Sequence, residues 1–567
     1  MSDTQRGRSA LRAWEDGKPE NFFTADANLQ QVLRRYMAEN YFEARFAPVG
    51  EQVATTMDEA AKIEDRIGNH PQLERWSGIG ERLEQIAFHP NHDTIGQIVW
   101  ESGIMALQAE PGHVVEQMGL FYLLNHNGEA GHMCSLACTA GLIRALQQVA
   151  DAAVRNQFLP PLLEQDYEVM EHGAQFLTEV QGGSDVGANS VIASDNGDGT
   201  WRISGEKWFC SNINAQQFLM TARPEGAADG TKGLGLFLVP RILEDGSTNG
   251  FYIRRLKDKI GTRTLASAEL DFRDALAYPV GPLDRGFKNA VEMVLNTSRL
   301  FNTVACAGIM RRAYIEACHY AQHREAFGQP IINYPLVQET LAAIKAEYYA
   351  ASAIGFYIAN LLDQIERGSG SEQDQAVYRL LVNIGKYITS IRGTEMVHRA
   401  IEVLGGNGAI ESFSILPRLY RDMIVLESWE GTHNVLCLQV QRDILRYNLH
   451  EALTAALESM LDGVTDRSLR ECVRLARSAL GKAQFMLGLL QQNGEQYAQA
   501  HARRFVDQLA HTTQAVLLLA ETQWAIDNNQ PTDKADAAAY FINTRANTGY
   551  DPLDDDEYLP RIARLAW

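Results

Sequence analysis

Two stretches bring together residue types that can do chemistry. LESWEGTHNVL, residues 426–436, sets Glu427 and Glu430 within four positions and wedges the second between Trp429 and Gly431. A carboxylate flanked by an indole and covered by a bound ligand would be desolvated, which raises its pKa toward the range useful to a general base at neutral pH. The stretch also has a plainer explanation. Apolar residues at Val435, Leu436, Leu438, Val440, Ile444 and Leu445 begin a helical pattern, so Ser428 or Thr432 can serve as its N-cap and an acid ahead of it complements the helix dipole. The second stretch is FLTEVQGGSDVGANS, residues 176–190. A threonine, two glycines and a serine after an apolar strand make a turn where backbone amides approach a ligand closely and hydroxyls bond its heteroatoms. Alone, it reads more readily as a glycine-rich surface turn. GEKWFCSN, residues 205–212, follows with adjacent aromatics in a strand, a pattern found more often in cores than in cofactor platforms.

The elements that must carry these stretches fall in a distinctive order. Residues 28–172 show mainly helical periodicity, interrupted at HPNHD, EPGH and LPPLL. From about 173 to 280 the texture changes to short runs of β-formers separated by Gly, Asp and Asn, the mark of a sheet. Helical character returns at Gly286. Val337, Leu341, Ile344, Tyr348, Ala351, Gly355, Ile358, Leu362 and Ile365 recur at intervals of four and three behind a first-turn Pro335, which predicts a long bundle helix. A further helical stretch occupies about 451–530, and an acidic segment, DPLDDDEYLP, follows. The expected domains are an N-terminal extension (1–40) with a loose polar leader, a helical domain (41–172), a middle β domain (173–285), a helix bundle (286–450) and an extra helical domain (451–567).

Composition narrows the function. The chain has 567 residues, 46% hydrophobic content and a formal net charge of −20. That charge opposes unassisted binding to nucleic acid or an anionic membrane, which rests on phosphate neutralisation. Seven scattered cysteines without CxxC spacing argue against a zinc site or redox dithiol and fit a reducing cytoplasm; Cys134 and Cys138, at i and i+4, read as small packing residues. No run approaches a membrane span.

FLTEVQGGSD resembles the flavin-binding signature of acyl-CoA dehydrogenases, and GEKWFCSN resembles the strand that follows it in that family. HREAFGQPI (323–331), VLGGNGA (403–409) and RLYRDMIVLESWEGTHNV (418–435) are similar to three further family motifs in the same order. The resemblance spans roughly residues 40–450. It implies an N-terminal α-helical domain, a middle β-barrel-like sheet domain and a C-terminal four-helix bundle, an α+β fold, and it implies FAD. Phe176, Leu177, Thr178, Gly183 and Ser184 are then expected at the cofactor, with Thr178 and Ser184 bonding the flavin and Ser184 also reaching the thioester. Phe209, where the family usually has Trp, and Ser211 flank the isoalloxazine. Arg324, Phe327, Gly405 and Gly406 reach a dinucleotide held mainly by a neighbouring subunit, so a homodimer or homotetramer is implied. Thr432 and Asn434 meet the same cofactor at a helix start. Arg299, Trp429 and Gly431 line the substrate site, and Arg299 reads equally as an arginine paired within the bundle.

In some relatives a glutamate near Arg299 is the base, but Thr297 and Ser298 cannot be. WEGT is left as the family-matched location, so the resemblance implies Glu430 as base, its backbone N–H helping to polarise the thioester carbonyl, and Glu427 as a solvated or ion-paired acid near Arg421. Three departures, Pro335, Glu402 and Asn296, fall where relatives contact the adenine ends of FAD and CoA. The layout, with FHPNHDTIGQIVWESGI and the extra C-terminal block, is similar to the AidB-like branch, whose C-terminal domain is basic and binds DNA. Here residues 451–567 carry eleven Lys and Arg against sixteen Asp and Glu, which predicts packing and oligomerisation instead. The expected activity is acyl-CoA desaturation feeding fatty-acid β-oxidation, with electron-transfer flavoprotein as acceptor. The alternatives are an AidB-like alkylation-response flavoprotein associated with nucleic acid, a direct oxidase, and a nitroalkane oxidase, the last disfavoured because that branch has aspartate at position 430.

Overall fold

The computed structural model describes residues 3–37, 42–547 and 549–567. They form two compact units, one made of residues 56–110 and 129–301 and the other of 1–55, 111–128 and 302–567.

The first unit is built on a seven-stranded sheet. Gln217–Pro224 is its hub, pairing parallel with Gly173–Phe176 and Ile192–Asp195 and antiparallel with Gly235–Pro240. Ile192–Asp195 continues antiparallel to Trp201–Ser211, which pairs with the long strand Ser267–Pro279. That strand also takes Phe251–Leu256 and Gly235–Pro240, so the sheet closes on itself as a barrel. Closure leaves one inner face, filled by Phe176, Phe218, Phe237, Phe251, Phe272 and Cys210. Alternating β-formers supply that face because successive side chains of a strand point to opposite sides. The region 28–172 is less uniformly helical than its periodicity predicts: Gln72–Trp76 and Arg82–Ala87 form an antiparallel hairpin. Buried Glu84 fixes it, accepting the Ile253 amide at 2.7 Å. Two buried imidazoles and a half-buried one sit nearby, His92 stacked on Phe88 and on His132 at 3.9 and 4.1 Å, and the half-buried His172 beside Trp100. Burial holds their pKa values down, to about 4 for His92 and about 3 for His172. After the sheet, the chain takes a π-helical turn at Ala290–Leu295 before the helix Asn296–His323 begins.

The second unit is a helix bundle. Pro335–Glu366 starts with proline at its first position, as predicted, and from Leu341 to Leu362 the seam residues are buried. Its neighbour Glu372–Leu404 opens with a capping box in which Ser371 and Asp374 bond each other's backbone amides. The helices Leu449–Asp462, Arg470–Gln492 and Glu495–Asp527 make up most of the C-terminal block. It is tied to the bundle by Tyr349 to Asp533 (2.8 Å), Arg545 to Glu347 (2.6 Å) and Tyr387 to Asp507 (2.6 Å).

One expectation changes here. The polar N-terminus is a helix, Asp3–Asp16, whose Trp14 is buried and stacks on Phe413 at 5.0 Å. It has few apolar residues, and tertiary packing of those few decides its structure. The acidic C-terminal stretch leads into a helix, Tyr558–Ala566, with the Leu565 carbonyl accepting from the Tyr314 hydroxyl at 3.4 Å.

Candidate functional site

In the barrel unit, the segment after Gly173–Phe176 leaves the sheet as an open turn. Phe176 points into the core against Phe218, 5.0 Å between centroids, so it offers a ligand only backbone. The Leu177 carbonyl accepts from Asn189 at 2.7 Å, and the Thr178 carbonyl accepts the Trp208 amide at 3.0 Å. Gly183 passes so close to Thr178 that a Cβ would lie 2.7 Å from its Oγ1. Any side chain there would displace the hydroxyl. Ser184 is exposed.

Glu179 carries this turn. It is buried, and its carboxylate accepts from the Ser190 amide (2.6 Å), Gln181 (2.9 Å) and the ammonium of Lys207 (2.8 Å), which is itself inaccessible to solvent. Burial pushes the Glu179 carboxyl up, but Lys207 and the hydrogen bonds outweigh it and hold the group below its usual value. Neither residue was singled out from sequence: they lie twenty-eight positions apart, and no local pattern pairs them. Beyond Lys207, Phe209 stays 38% exposed on the strand edge, and Ser211 bonds Ser267 at 2.9 Å. An exposed aromatic face beside an open hydroxyl-bearing turn can take a flat heteroaromatic ring.

Arg299 is buried at the start of the helix Asn296–His323, where the Asn296 side chain accepts from it at 3.2 Å. Thr297 bonds the Met293 carbonyl at 2.7 Å, and Ser298 accepts from Gln175 at 3.0 Å.

In the bundle unit, the helix Leu416–Ser428 ends at Trp429, whose amide closes on the Val425 carbonyl at 3.2 Å. The buried Trp429 indole nitrogen has no hydrogen-bond partner among the described residues. Glu430 then adopts φ +57° and Gly431 φ +107°. The left-handed region suits glycine but costs a glutamate about 1–2 kcal/mol. Thr432 occupies the N-cap position of His433–Tyr447, yet its side chain makes no capping bond, and Ser428 bonds back to Val425 at 2.9 Å. Neither hydroxyl therefore makes the expected N-cap bond.

Lys386, in the middle of Glu372–Leu404, is fully buried and donates to the carbonyls of Glu427 (2.8 Å) and Gly431 (2.9 Å). Sequence offered one signal for it, since it is the lone charge between Arg379 and Arg392. Glu427 is half-buried and lies 3.7 Å from His433; burial raises its carboxyl above the usual value, with Thr394 and Lys386 opposing. Arg421, expected near Glu427, pairs with Glu411 at 2.9 Å instead, because the exposed loop acid lies within its reach.

Asn434 accepts from Arg503 of the C-terminal block at 2.8 Å. Arg324 is exposed at the base of a two-residue hairpin, Glu325–Ala326 with Gln329–Pro330, and Phe327 at its tip is 98% exposed with φ +52°. Gly405, at φ +60°, and Gly406 close the helix Glu372–Leu404 facing open space. Pro335 and Glu402 are both exposed. Among the described residues no helix is long and apolar enough to cross a membrane.

Comparison with known proteins places these features. Residues 15–169 match the adaptive response protein AidB N-terminal domain, 174–275 the acyl-CoA dehydrogenase middle domain and 284–445 the acyl-CoA dehydrogenase C-terminal domain. The putative acyl-CoA dehydrogenase AidB of Escherichia coli is 31% identical over 82% of this chain and 86% of its own. Acyl-CoA dehydrogenase family member 11 of Caenorhabditis elegans is 30% identical over 82% of this chain and 78% of its own. Among solved structures, the Bd2924 apo-form is similar with TM-score 0.81 at 30% identity, covering 90% of this chain and 98% of that one. Caenorhabditis elegans ACDH-11 in complex with C11-CoA gives TM-score 0.85 at 27% identity, covering 91% and 90%. The chain belongs to the acyl-CoA dehydrogenase family, flavoprotein oxidoreductases whose cofactor is FAD.

Proposed function

We propose that this protein desaturates an acyl-CoA thioester between its α and β carbons, with Glu430 as the base. The observation that carries this reading is the left-handed turn that presents Glu430 between two helices, within the family-matched WEGT segment. FAD, when bound, would supply the hydride acceptor for the β carbon. The Glu430 carboxylate takes the α-proton, and its backbone N–H donates to the thioester carbonyl as charge develops there.

The chain's residues fit the cofactor. Thr178 and Ser184 present hydroxyls on an open turn that a Cβ at position 183 would spoil, and Phe209 offers a ring face. Arg324, with Phe327 beside it, supplies a cation for a pyrophosphate, and Gly405, Gly406, Thr432 and Asn434 offer backbone and polar groups to a dinucleotide. The outward projection of Arg324 and Phe327 supports a second copy of the chain as their target, hence a homodimer or homotetramer. Arg299, Trp429 and Gly431 are assigned to the substrate side. A relative that carries C11-CoA supports a fatty acyl thioester, and electron-transfer flavoprotein is the proposed acceptor.

The test is anaerobic. Purified protein with its flavin is titrated with short, long, branched and aryl acyl-CoAs, and bleaching of the flavin's visible absorbance is expected with at least one. If no thioester bleaches it, the dehydrogenase reading is wrong. The AidB N-terminal match favours one second reading, a stress flavoprotein acting on DNA. A mobility-shift titration at moderate salt separates the two, and the net charge of −20 leads us to expect no shift.

A further inference from the structure

We propose that Lys386 is a positioning residue for Glu430: its ammonium ties the two backbone carbonyls that bracket the turn and so aims both functional groups of that glutamate at once. The inference rests on the reading of Glu430 as base.

The two carbonyls have different needs. That of Glu427 belongs to the last turn of Leu416–Ser428, where carbonyls have no partner within the helix and the dipole gathers partial negative charge. That of Gly431 follows the left-handed residue and has left the helical path. A single ammonium with donors in several directions satisfies both at 2.8 and 2.9 Å. An arginine fork, planar and rigid, matches carboxylates rather than two carbonyls four residues apart.

Placement argues for a purpose. A lysine with no solvent exposure carries a desolvation penalty of several kcal/mol. It stands within LLVNIGKYITSI, where every other position is uncharged. The penalty is offset by ion–dipole bonds that land on either side of Glu430. With both flanks pinned, three residues have little freedom to relax out of φ +57°. The carboxylate and the N–H of Glu430 share one Cα, so fixing the turn fixes the angle between proton acceptor and carbonyl donor. A second anchor acts on the same helix end: Asn302 donates to the Leu426 carbonyl at 3.1 Å.

The experiment replaces Lys386 with Met, which keeps the volume and removes the donors, and with Gln, which keeps an N–H donor for at least one carbonyl. Lys386→Ala is assayed with and without added propylamine. Flavin content, acyl-CoA Kd and the rate of anaerobic flavin reduction are measured, with Glu430→Gln in parallel. Lys386→Met should reduce its flavin about 100-fold more slowly, the scale expected when a reacting group is misplaced by about 1 Å, while Kd and flavin content stay within about threefold. Lys386→Gln should fall between Met and the parent, and propylamine should raise the rate of Lys386→Ala. A merely structural role would not produce rescue by a free amine or a loss confined to the rate.

If Glu430→Gln is inert and Lys386→Met keeps a rate within threefold of the parent, the positioning role is overturned while the base stands. If Glu430→Gln is as active as the parent, the base reading falls, and crystal structures decide the clamp. A Lys386→Met turn with Glu430 still at positive φ and Gly431 unmoved overturns it; a turn relaxed to negative φ upholds it. Should Lys386→Met fail to fold, the Gln variant and the amine titration decide between the same outcomes.

Discussion

Two turns carry the proposed chemistry, and each is held by a buried lysine in a different way. In the barrel unit Lys207 meets the Glu179 carboxylate, an ion pair further bonded by Ser190 and Gln181. In the bundle unit Lys386 meets two carbonyl oxygens and no charge is cancelled by them. The first device fixes a turn that must stay open and hydroxyl-lined, and a satisfied ion pair makes it rigid. The second holds a residue in an unfavourable conformation. There two neutral carbonyls pin the flanks of the turn, and the half-buried Glu427 carboxylate feels the cation only at longer range. Stability and function are thus separable in the two places: breaking the ion pair should unfold, and breaking the dipole clamp should misaim.

The largest expected effect tests the functional side. Glu430→Gln should slow flavin reduction by about 10³- to 10⁴-fold, in the upper range for loss of a positioned base, with flavin content unchanged; stopped-flow absorbance reads it. Next in size is the ion pair. Lys207→Met leaves a buried carboxylate alone and should cost the protein about 3–5 kcal/mol in urea unfolding and shed its flavin. Adding Glu179→Gln should recover most of the loss, because the orphaned charge, rather than the missing contact, is the expensive part. If the double variant is no better than the single, the two clamps do not differ as argued.

The third prediction concerns acid. Glu179 has a folded pKa below its unfolded one, so its contribution is complete above the unfolded value, near 4.3, and disappears only as pH falls through the lower folded value. The imidazoles act earlier. His92 and His172 have folded pKa values of about 4 and about 3, below the unfolded value near 6.5, so the unfolded state binds the extra protons between those limits. Stability is full above pH 6.5 and should decline below it by up to about 1.4 kcal/mol per pH unit for each imidazole. Urea midpoints at pH 7, 6 and 5 should fall accordingly in the parent and less steeply in His172→Asn. An unchanged midpoint to pH 5 would contradict neutral burial. The smallest effect is at the Arg421–Glu411 pair, where removing the exposed partner in Glu411→Ala should cost about 1 kcal/mol or less. Flavin reduction should not change.

What the sequence disclosed followed from periodicity. The order of helices, sheet and bundle, the proline start at 335 and the buried seam from Leu341 to Leu362 were all readable, because an apolar stripe at the right period is a direct image of burial. The turn at Thr178–Ser184 and the WEGT segment were readable as motifs. Glu179 with Lys207 was not, since partners twenty-eight residues apart meet only once the turn after Gly173–Phe176 docks on the strand Trp201–Ser211 through the Trp208 amide and the Thr178 carbonyl. The hairpin Gln72–Ala87 is polar enough to carry no clear period. Asn434 belongs to a similar class: its hydrogen bond comes from Arg503, sixty-nine positions later. Distances along the chain of this size are invisible to local patterns.

The π-helical turn at Ala290–Leu295 has a consequence for anyone who wishes to redesign the protein. It holds one residue more per turn than the helix it feeds, and π turns inside helices mark local insertions. Deleting a single residue from it would let the segment regularise with little change of phase, because five residues at about 100° each turn nearly as far as six at about 80°. Asn296, Thr297, Ser298 and Arg299 would keep the face they present. The turn therefore holds one spare residue, and a loss there would be absorbed locally where the same loss in a regular helix would rotate everything after it.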